Sequence, residues 1–67
     1  MSVAKVSEIS ATSAKSFEDA IQQGVNRAGK TLRHVRRAWV KEMHVRCDEG
    51  KITEYQVNMM VTFVLDD

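Results

Sequence analysis

The fold is decided by residues 38–47, which read Ala38-Trp39-Val40-Lys41-Glu42-Met43-His44-Val45-Arg46-Cys47. Apolar, β-branched and long polar side chains alternate loosely along this stretch, as is typical of a strand with two differently occupied faces. A second strand follows, because one face of residues 51–65 carries Tyr55, Val57, Met59, Val61, Phe63 and Leu65. Gly50 can take the left-handed conformation that closes a short loop. The sequence therefore predicts an antiparallel hairpin of strands 36–47 and 51–65, joined by the three-residue loop 48–50.

A helix is predicted upstream, because apolar residues recur there at the i, i+3, i+4, i+7 spacing of one stripe: Phe17, Ala20, Ile21, Gly24, Val25, Ala28 and Leu32. Ser16 is a candidate N-cap with acids in the first turn, and Ser13 competes with it. Gly24 lies inside the stripe, where glycine costs roughly 1 kcal/mol against alanine, so we expect the helix to approach the sheet closely there.

The N-terminal segment, residues 2–12, is rich in β-branched and hydroxyl side chains, and we predict a strand there from propensity alone. The element order then indicates an α+β fold, β-α-β-β. In this fold one helix lies against one face of a three-stranded antiparallel sheet.

The chain has 67 residues, which is one domain at most, over residues 1–67. A core of this size supplies only about 3–5 kcal/mol of stability. Cys47 is the only cysteine, so no internal disulfide forms, and its spacing from the two histidines does not match a metal site. One helix cannot cover both sheet faces, and Met60 and Val64 fall on the face opposite the Tyr55–Leu65 row. Because an exposed apolar face marks an association surface, size and pattern both predict an oligomer.

Charge and motifs narrow the function classes. The net charge is +1 with 28% charged residues, so the chain is no polyelectrolyte. The N-terminus lacks the pattern of a signal peptide and no apolar run approaches the ~20 residues of a membrane span, so we expect a soluble cytoplasmic protein. No nucleophile-activating spacing and no general acid/base pair is visible, so we expect no enzyme. Cys47, at a strand end, is expected to be a buried or half-buried small apolar residue.

Trp39, the only tryptophan, is either a packing anchor or a ligand platform. The helical stripe already supplies apolar groups to the sheet, and the strand that carries Trp39 is polar enough to face a cavity or a partner. A ring held on a rigid strand is a good stacking surface for a planar aromatic ligand. The basic run of residues 33–37 (Arg-His-Val-Arg-Arg) can bind phosphate or nucleic acid, although it has no interleaved aromatic side chains. A solvated basic turn is the simpler interpretation of that run.

Several short segments, each weak alone, occur together in a specific order. They are Ser7-Glu8-Ile9-Ser10-Ala11-Thr12-Ser13 entering the helix, Arg27-Ala28, Thr31-Leu32-Arg33, Trp39, Glu54-Tyr55-Gln56-Val57 and Val61-Thr62-Phe63-Val64-Leu65-Asp66. In this order, and over nearly the whole chain, they resemble the dodecins, small flavin-binding proteins that assemble into hollow, roughly spherical dodecamers. The resemblance implies a β-α-β-β fold with the sheet partly wrapped around the helix. It also implies a non-enzymatic homododecamer that binds, stores and sequesters flavin in pairs near two-fold axes.

The resemblance also implies site residues. Trp39 would stack against the ring of FMN, the more strongly implied flavin, or of riboflavin. Gln56 would hydrogen-bond the ring edge. Arg46 and Lys5 match basic positions near the flavin and its phosphate.

Some dodecins also bind coenzyme A near the three-fold axes, and Arg27 and Arg33 are a weaker match to that site. No metal ligand and no catalytic residue is predicted. The alternative function, from a different class, is an oligomeric interaction or nucleic-acid-binding protein that uses the basic turn 33–37.

Three positions depart from the dodecin pattern: Ala14, Ala38 and Met60. The first bears on helix initiation only, and the other two bear on which flavin is held and how tightly. The register of the hairpin is also open. A three-residue loop puts Trp39 on the Tyr55–Leu65 side, away from Gln56, whereas a one-residue bulge would bring both to one face. Contacts from a symmetry mate would resolve the conflict as well.

Overall fold

The computed structural model describes residues 3–65. Strand β1 (Ala4–Ser13) is followed by helix α1 (Phe17–Thr31), strand β2 (Val35–Asp48) and strand β3 (Lys51–Val64). The strands form one antiparallel sheet in the order β1-β3-β2, so β3 is central and the other two are edges. The predicted β-α-β-β order and fold class are confirmed.

Helix α1 begins at the serine that the sequence favoured. The Ser16 hydroxyl oxygen accepts a hydrogen bond from the backbone N–H of Asp19 at 2.9 Å, which is the N-cap geometry. Ser13 has a different role, since its hydroxyl donates to Asp19 Oδ2 at 2.6 Å. At the other end, the N–H of Leu32 donates to the carbonyl of Ala28 at 2.8 Å, and the chain turns into an extended conformation. The helix thus ends one residue before the last position of the predicted stripe.

The core lies between the small residues of α1 and the middle of β3. Ala20, Gly24 and Ala28 are the buried helix positions, and Val57, Met59 and Val61 are fully buried in the strand. A Cβ added at Gly24 would lie 2.8 Å from Met59 Cε and 3.2 Å from Ala11 Cβ. The close approach predicted from the glycine in the stripe is therefore confirmed.

Two burial predictions are wrong. Leu65 was assigned to the buried face of β3, but the strand ends at Val64 and Leu65 is 44% exposed. Cys47 was expected to be at least half buried, but it is exposed, because the far end of the hairpin extends beyond the helix. The described chain measures 52 × 19 × 13 Å, and α1 spans only part of its length.

The hairpin loop differs from the prediction. Asp48 pairs with Lys51, so the loop has two residues, Glu49 and Gly50, with φ values of 50° and 80°. Positive φ at both central positions is the type I′ pattern, whose twist matches that of the flanking strands. The three-residue loop was wrong because a glutamate seldom signals a left-handed position.

Three register shifts interrupt the pairing of β2 with β3, and the two that lie between the turn and Trp39 act in opposite directions. Thr53 is the extra residue in β3, between the pairs Arg46–Glu54 and Cys47–Ile52. Lys41 is the extra residue in β2, between the pairs Val40–Met59 and Glu42–Asn58. Each bulge shifts the register by one residue, and the two shifts cancel beyond Lys41. Trp39 consequently pairs with Met60, as the two-residue turn dictates, and not with Met59.

A substantial apolar surface remains uncovered. Met43 and Val45 pair with Val57 and Tyr55 on the helix side of the sheet, yet both are exposed because α1 does not reach them. Ile52, Val3 and Val6 are exposed as well. The sequence placed the uncovered apolar surface on the sheet face away from the helix. Trp39 and Val6 are exposed on that face, whereas Met60 and Val64 are only partly exposed there. Within residues 3–65, α1 falls short of the length and apolarity that a membrane-crossing helix needs.

Candidate functional site

Trp39 lies on the sheet face turned away from α1, called here the open face. Side chains alternate along β3, so the buried Val57, Met59 and Val61 face the helix and the residues between them face the other way. Directly opposed residues of antiparallel strands share a face, which puts Trp39, Met60 and Glu8 in one row across the open face. The indole is 47% exposed, so it is a platform on the sheet more than an anchor in the core.

Gln56 lies on the same face in the row of Thr12 and His44. A bulge of the kind that the sequence allowed is present, but a second bulge cancels its effect on the register. The two-residue turn therefore brings Trp39 to the same face as Gln56. Four residues of strand span roughly 13 Å and neighbouring strands are about 4.8 Å apart, so the two Cα atoms are roughly 14 Å apart. Trp39 and Gln56 of one chain therefore share a face, but they are too far apart to contact the same small ring.

The two basic residues predicted beside them are placed differently. Arg46 pairs with Glu54 on the open face, roughly 20 Å along the strand from the Trp39 row. Lys5 pairs with Phe63, and since Phe63 has the alternation of the buried row, Lys5 is on the helix side of the sheet. A single chain thus gathers Trp39, Gln56 and Arg46 on one face and leaves Lys5 on the other.

Two of the positions that depart from the dodecin pattern lie on opposite faces of the sheet. Met60 is the direct cross-strand neighbour of Trp39, so a change there alters the surface beside the indole. Ala38 pairs with Val61 on the helix side and does not face the same space as Trp39.

Sequence reasoning missed a polar network beside Trp39. Lys41 Nζ lies 3.4 Å from Glu8 Oε1, so this ion pair spans the sheet from one edge strand to the other. Asn58 Nδ2 donates to Glu42 Oε1 at 2.9 Å, and Gln56 Nε2 donates to Ser10 Oγ at 3.0 Å. Lys41 is the bulge residue, and nothing in the sequence marks a bulge. The other members are polar strand residues with no motif.

The hydrogen bond from Asn58 lowers the pKa of the Glu42 carboxyl below its ordinary value; desolvation opposes this effect, and the charges of His44 and Lys41 add smaller lowering contributions. His44 Nε2 lies 4.0 Å from Glu42 Oε1. Glu42 is therefore a carboxylate at neutral pH, and the network contains an acceptor that cannot donate.

The two arginines proposed for coenzyme A line different cavities. Arg27 lines a groove of about 570 Å³ between α1 and the edge strand β1, together with Gln23 and Thr31. Arg33 lines a cavity of about 240 Å³ beside Phe63 and Leu65. Thr31 and Leu32 contribute to both, so the two cavities adjoin at the end of the helix.

The basic run 33–37 is not a single turn. Strand β2 starts at Val35, and Arg37 pairs with Thr62 on the open face. His34 has a φ of 59° in the connection that precedes the strand. In the described part of the chain, residues 3–65, no group of three or more His, Cys, Asp or Glu side chains gathers in a way that suits a metal ion.

The dodecin family model matches residues 3–66. The chain belongs to the dodecin family. A dodecin from Thermus thermophilus is 42% identical over 65 residues, which are 97% of this chain and 94% of that protein. The structure is similar to that of an arginine-to-alanine mutant of T. thermophilus dodecin, with a TM-score of 0.93, 40% identity and complete coverage of both chains. It is also similar to dodecin from Streptomyces davaonensis, with a TM-score of 0.92, 35% identity and coverage of 98% and 97%.

The family assignment and the observed β-α-β-β fold agree, and the resemblance drawn from short segments is confirmed. Membership of the dodecin family implies self-assembly and a ligand of the flavin type.

Proposed function

We propose that this chain is a non-enzymatic flavin-binding protein that stores and sequesters FMN or riboflavin as a hollow cytoplasmic homododecamer, each chain acting as one dodecin unit. The observation that carries the proposal is the position of Trp39. A large aromatic ring half exposed on a three-stranded sheet, away from the only described helix, is held rigidly where a planar ligand can reach it.

The mechanism is stacking. Two flavins would lie between the Trp39 rings of two chains, so that the aromatic faces of both flavins and both indoles leave water together. Electron transfer from the indole would quench the excited flavin, which limits its photochemistry. Reversible stacking without a covalent bond suits a protein that buffers a cofactor.

The spacing of the polar residues supports a site shared between chains. Trp39 and Gln56 of one chain are roughly 14 Å apart, whereas a two-fold axis through the open faces can bring Trp39 of one chain near Gln56 of another. Arg46 is at the far end of the same face and can reach a flavin phosphate only in such an arrangement. Lys5, on the helix side, would have to be contributed by a further chain.

Assembly is supported by the surface of the single chain. The exposed Met43, Val45 and Ile52 form an apolar end of the hairpin that a monomer would leave in water. Association would bury them and supplement a small core. The groove beside Arg27 and the adjoining cavity beside Arg33 are where coenzyme A would bind, with the guanidinium groups at its phosphates.

A fluorescence titration tests this function. FMN and riboflavin are titrated into the purified, flavin-free protein, and the same samples are examined by sedimentation velocity. We expect saturable quenching of both flavins and a single large closed particle. Unquenched flavin, or a folded monomer at micromolar concentration, would contradict the proposal. Steeply salt-dependent binding to single-stranded nucleic acid, without quenching, would support the alternative function of the basic run.

A further inference from the structure

A directional chain of hydrogen bonds crosses the open face and ends at Gln56. Glu42 Oε1 accepts from Asn58 Nδ2 at 2.9 Å. Asn58 Oδ1 accepts from Gln56 Nε2 at 3.4 Å, and the same Gln56 nitrogen donates to Ser10 Oγ at 3.0 Å. One residue from each of β1 and β2 and two from β3 thus form a continuous network beside the Trp39 row. This network of Glu42, Asn58, Gln56 and Ser10 is called here the relay.

The Glu42 carboxylate sets the donor-to-acceptor direction of the hydrogen bonds in this network. A carboxylate only accepts, so the end of the Asn58 amide that faces Glu42 must be its NH₂ group. The carbonyl oxygen of Asn58 then faces Gln56, and it in turn requires the NH₂ group of Gln56. Both hydrogens of that group are used, by Asn58 and Ser10, so Gln56 has only its carbonyl oxygen Oε1 left for a ligand.

We propose that Glu42 and Asn58 are positioning residues that fix the Gln56 amide with Oε1 toward the ligand, so that the site selects a ring edge that donates a hydrogen bond. This rests on the proposed flavin site. The pyrimidine ring of a flavin has one such donor, N3–H, between two carbonyl groups. If the Gln56 amide were reversed, its NH₂ group would face the flavin N3–H, and two donors would oppose each other. The relay therefore distinguishes a flavin from an analogue methylated at N3, with Glu42 and Asn58 acting through Gln56.

The test compares riboflavin with N3-methylriboflavin by fluorescence quenching. A net hydrogen bond of about 1 kcal/mol corresponds to a preference of roughly fivefold for riboflavin in the parent protein. Glu42→Gln keeps the shape but supplies an amide that can face Asn58 in either sense. Gln56 is then free to reverse, and the preference should fall to about twofold or less. The matched control, Glu54→Gln, removes another carboxylate of the open face outside the relay and should keep the parent preference.

A second variant separates positioning from a structural role. In the double variant Glu42→Gln with Asn58→Asp, the new amide at position 42 can donate to the new carboxylate at position 58. That carboxylate again accepts from Gln56, so the preference should return to the parent value.

Equal binding of the two flavins by the parent, or an unchanged preference in Glu42→Gln, would overturn the relay while leaving flavin binding intact. Failure of the double variant to recover the preference would overturn it too. If the parent quenched neither flavin, the proposed function and the relay would both fail.

Discussion

Replacing Trp39 by alanine separates a ligand platform from a core anchor. Truncation of a fully buried tryptophan costs about 3–5 kcal/mol. Trp39 is 47% exposed and packs on one face of the sheet only, so we expect a loss of roughly half that, about 1.5–2.5 kcal/mol. Stacking of a base on an aromatic side chain contributes about 1–3 kcal/mol, and a flavin stacked on Trp39 should lose a similar amount. The dissociation constant for FMN should therefore rise roughly ten- to a hundredfold.

The assay combines a quenching titration with thermal unfolding and sedimentation of the same samples. The Trp39→Ala variant should remain assembled, bind FMN weakly, and leave the bound flavin brighter because the indole electron donor is gone. Trp39→Phe is the matched control, since it keeps a ring for stacking but a poorer electron donor. In this variant, the fractional recovery of flavin fluorescence should be larger than the fractional loss of affinity for FMN. An assembled Trp39→Ala protein that binds and quenches FMN like the parent would refute the site and the mechanism together, whereas loss of the particle would show that Trp39 is a core anchor.

Three further predictions concern other parts of the chain. Arg46→Ala should weaken FMN more than riboflavin in the quenching titration, because a charge-assisted contact to phosphate is lost, and equal losses would mean that Arg46 acts through structure. Gly24→Ala should be less stable than Gly29→Ala by about 1–3 kcal/mol in unfolding free energy, and it should melt at a lower temperature. The methyl group added at position 24 meets the buried Met59, whereas the one added at position 29 meets no atom within 4 Å. The hydroxyl of Ser13, and then the amide of Gln23, lower the pKa of Asp19, so its stabilisation is complete above the ordinary carboxyl value and is lost as the pH falls through the lowered one. Asp19→Asn should therefore flatten the acid limb of the thermal-melting profile below about pH 4, and an unchanged acid limb would count against that linkage.

Periodicity predicted the parts of the fold that contact the core. The stripe through Ala20, Gly24 and Ala28 and the alternation through Val57 and Met59 each have one strong period, because one side of each element is buried. Strand β1 had no clear period. The apolar spacing of this segment was misleading because Val3 and Val6 are exposed, whereas Ile9 and Ala11 pack on the core. Propensity identified the strand where the pattern could not.

The register of the hairpin could not be obtained from the sequence, for a physical reason. A shift of one residue moves every side chain to the other face, and the shifts at the turn, at Thr53 and at Lys41 each change the result. Gly50 signals the turn but not its length, and neither Thr53 nor Lys41 is a glycine or proline that would signal a bulge. The candidate site was affected most, since the facing of Trp39 relative to Gln56 depends on the sum of all three. Family resemblance supplied the candidate site residues, but it gave no geometry.

The two faces of β3 separate the packed core from the candidate flavin surface. Met59 is fully buried against α1, whereas the next residue, Met60, lies beside Trp39 on the open face. Substitutions at odd-numbered positions from Tyr55 to Phe63 disturb the packing of the helix. Even-numbered positions from Gln56 to Thr62 change a surface that contributes little to the core of the single chain. On the proposed function, substitutions at Met60, Asn58 and Gln56 should change ligand preference while the fold is retained. A one-residue deletion in the Glu49-Gly50 turn would exchange the two faces of β2 and should abolish the candidate site, even if a sheet still formed.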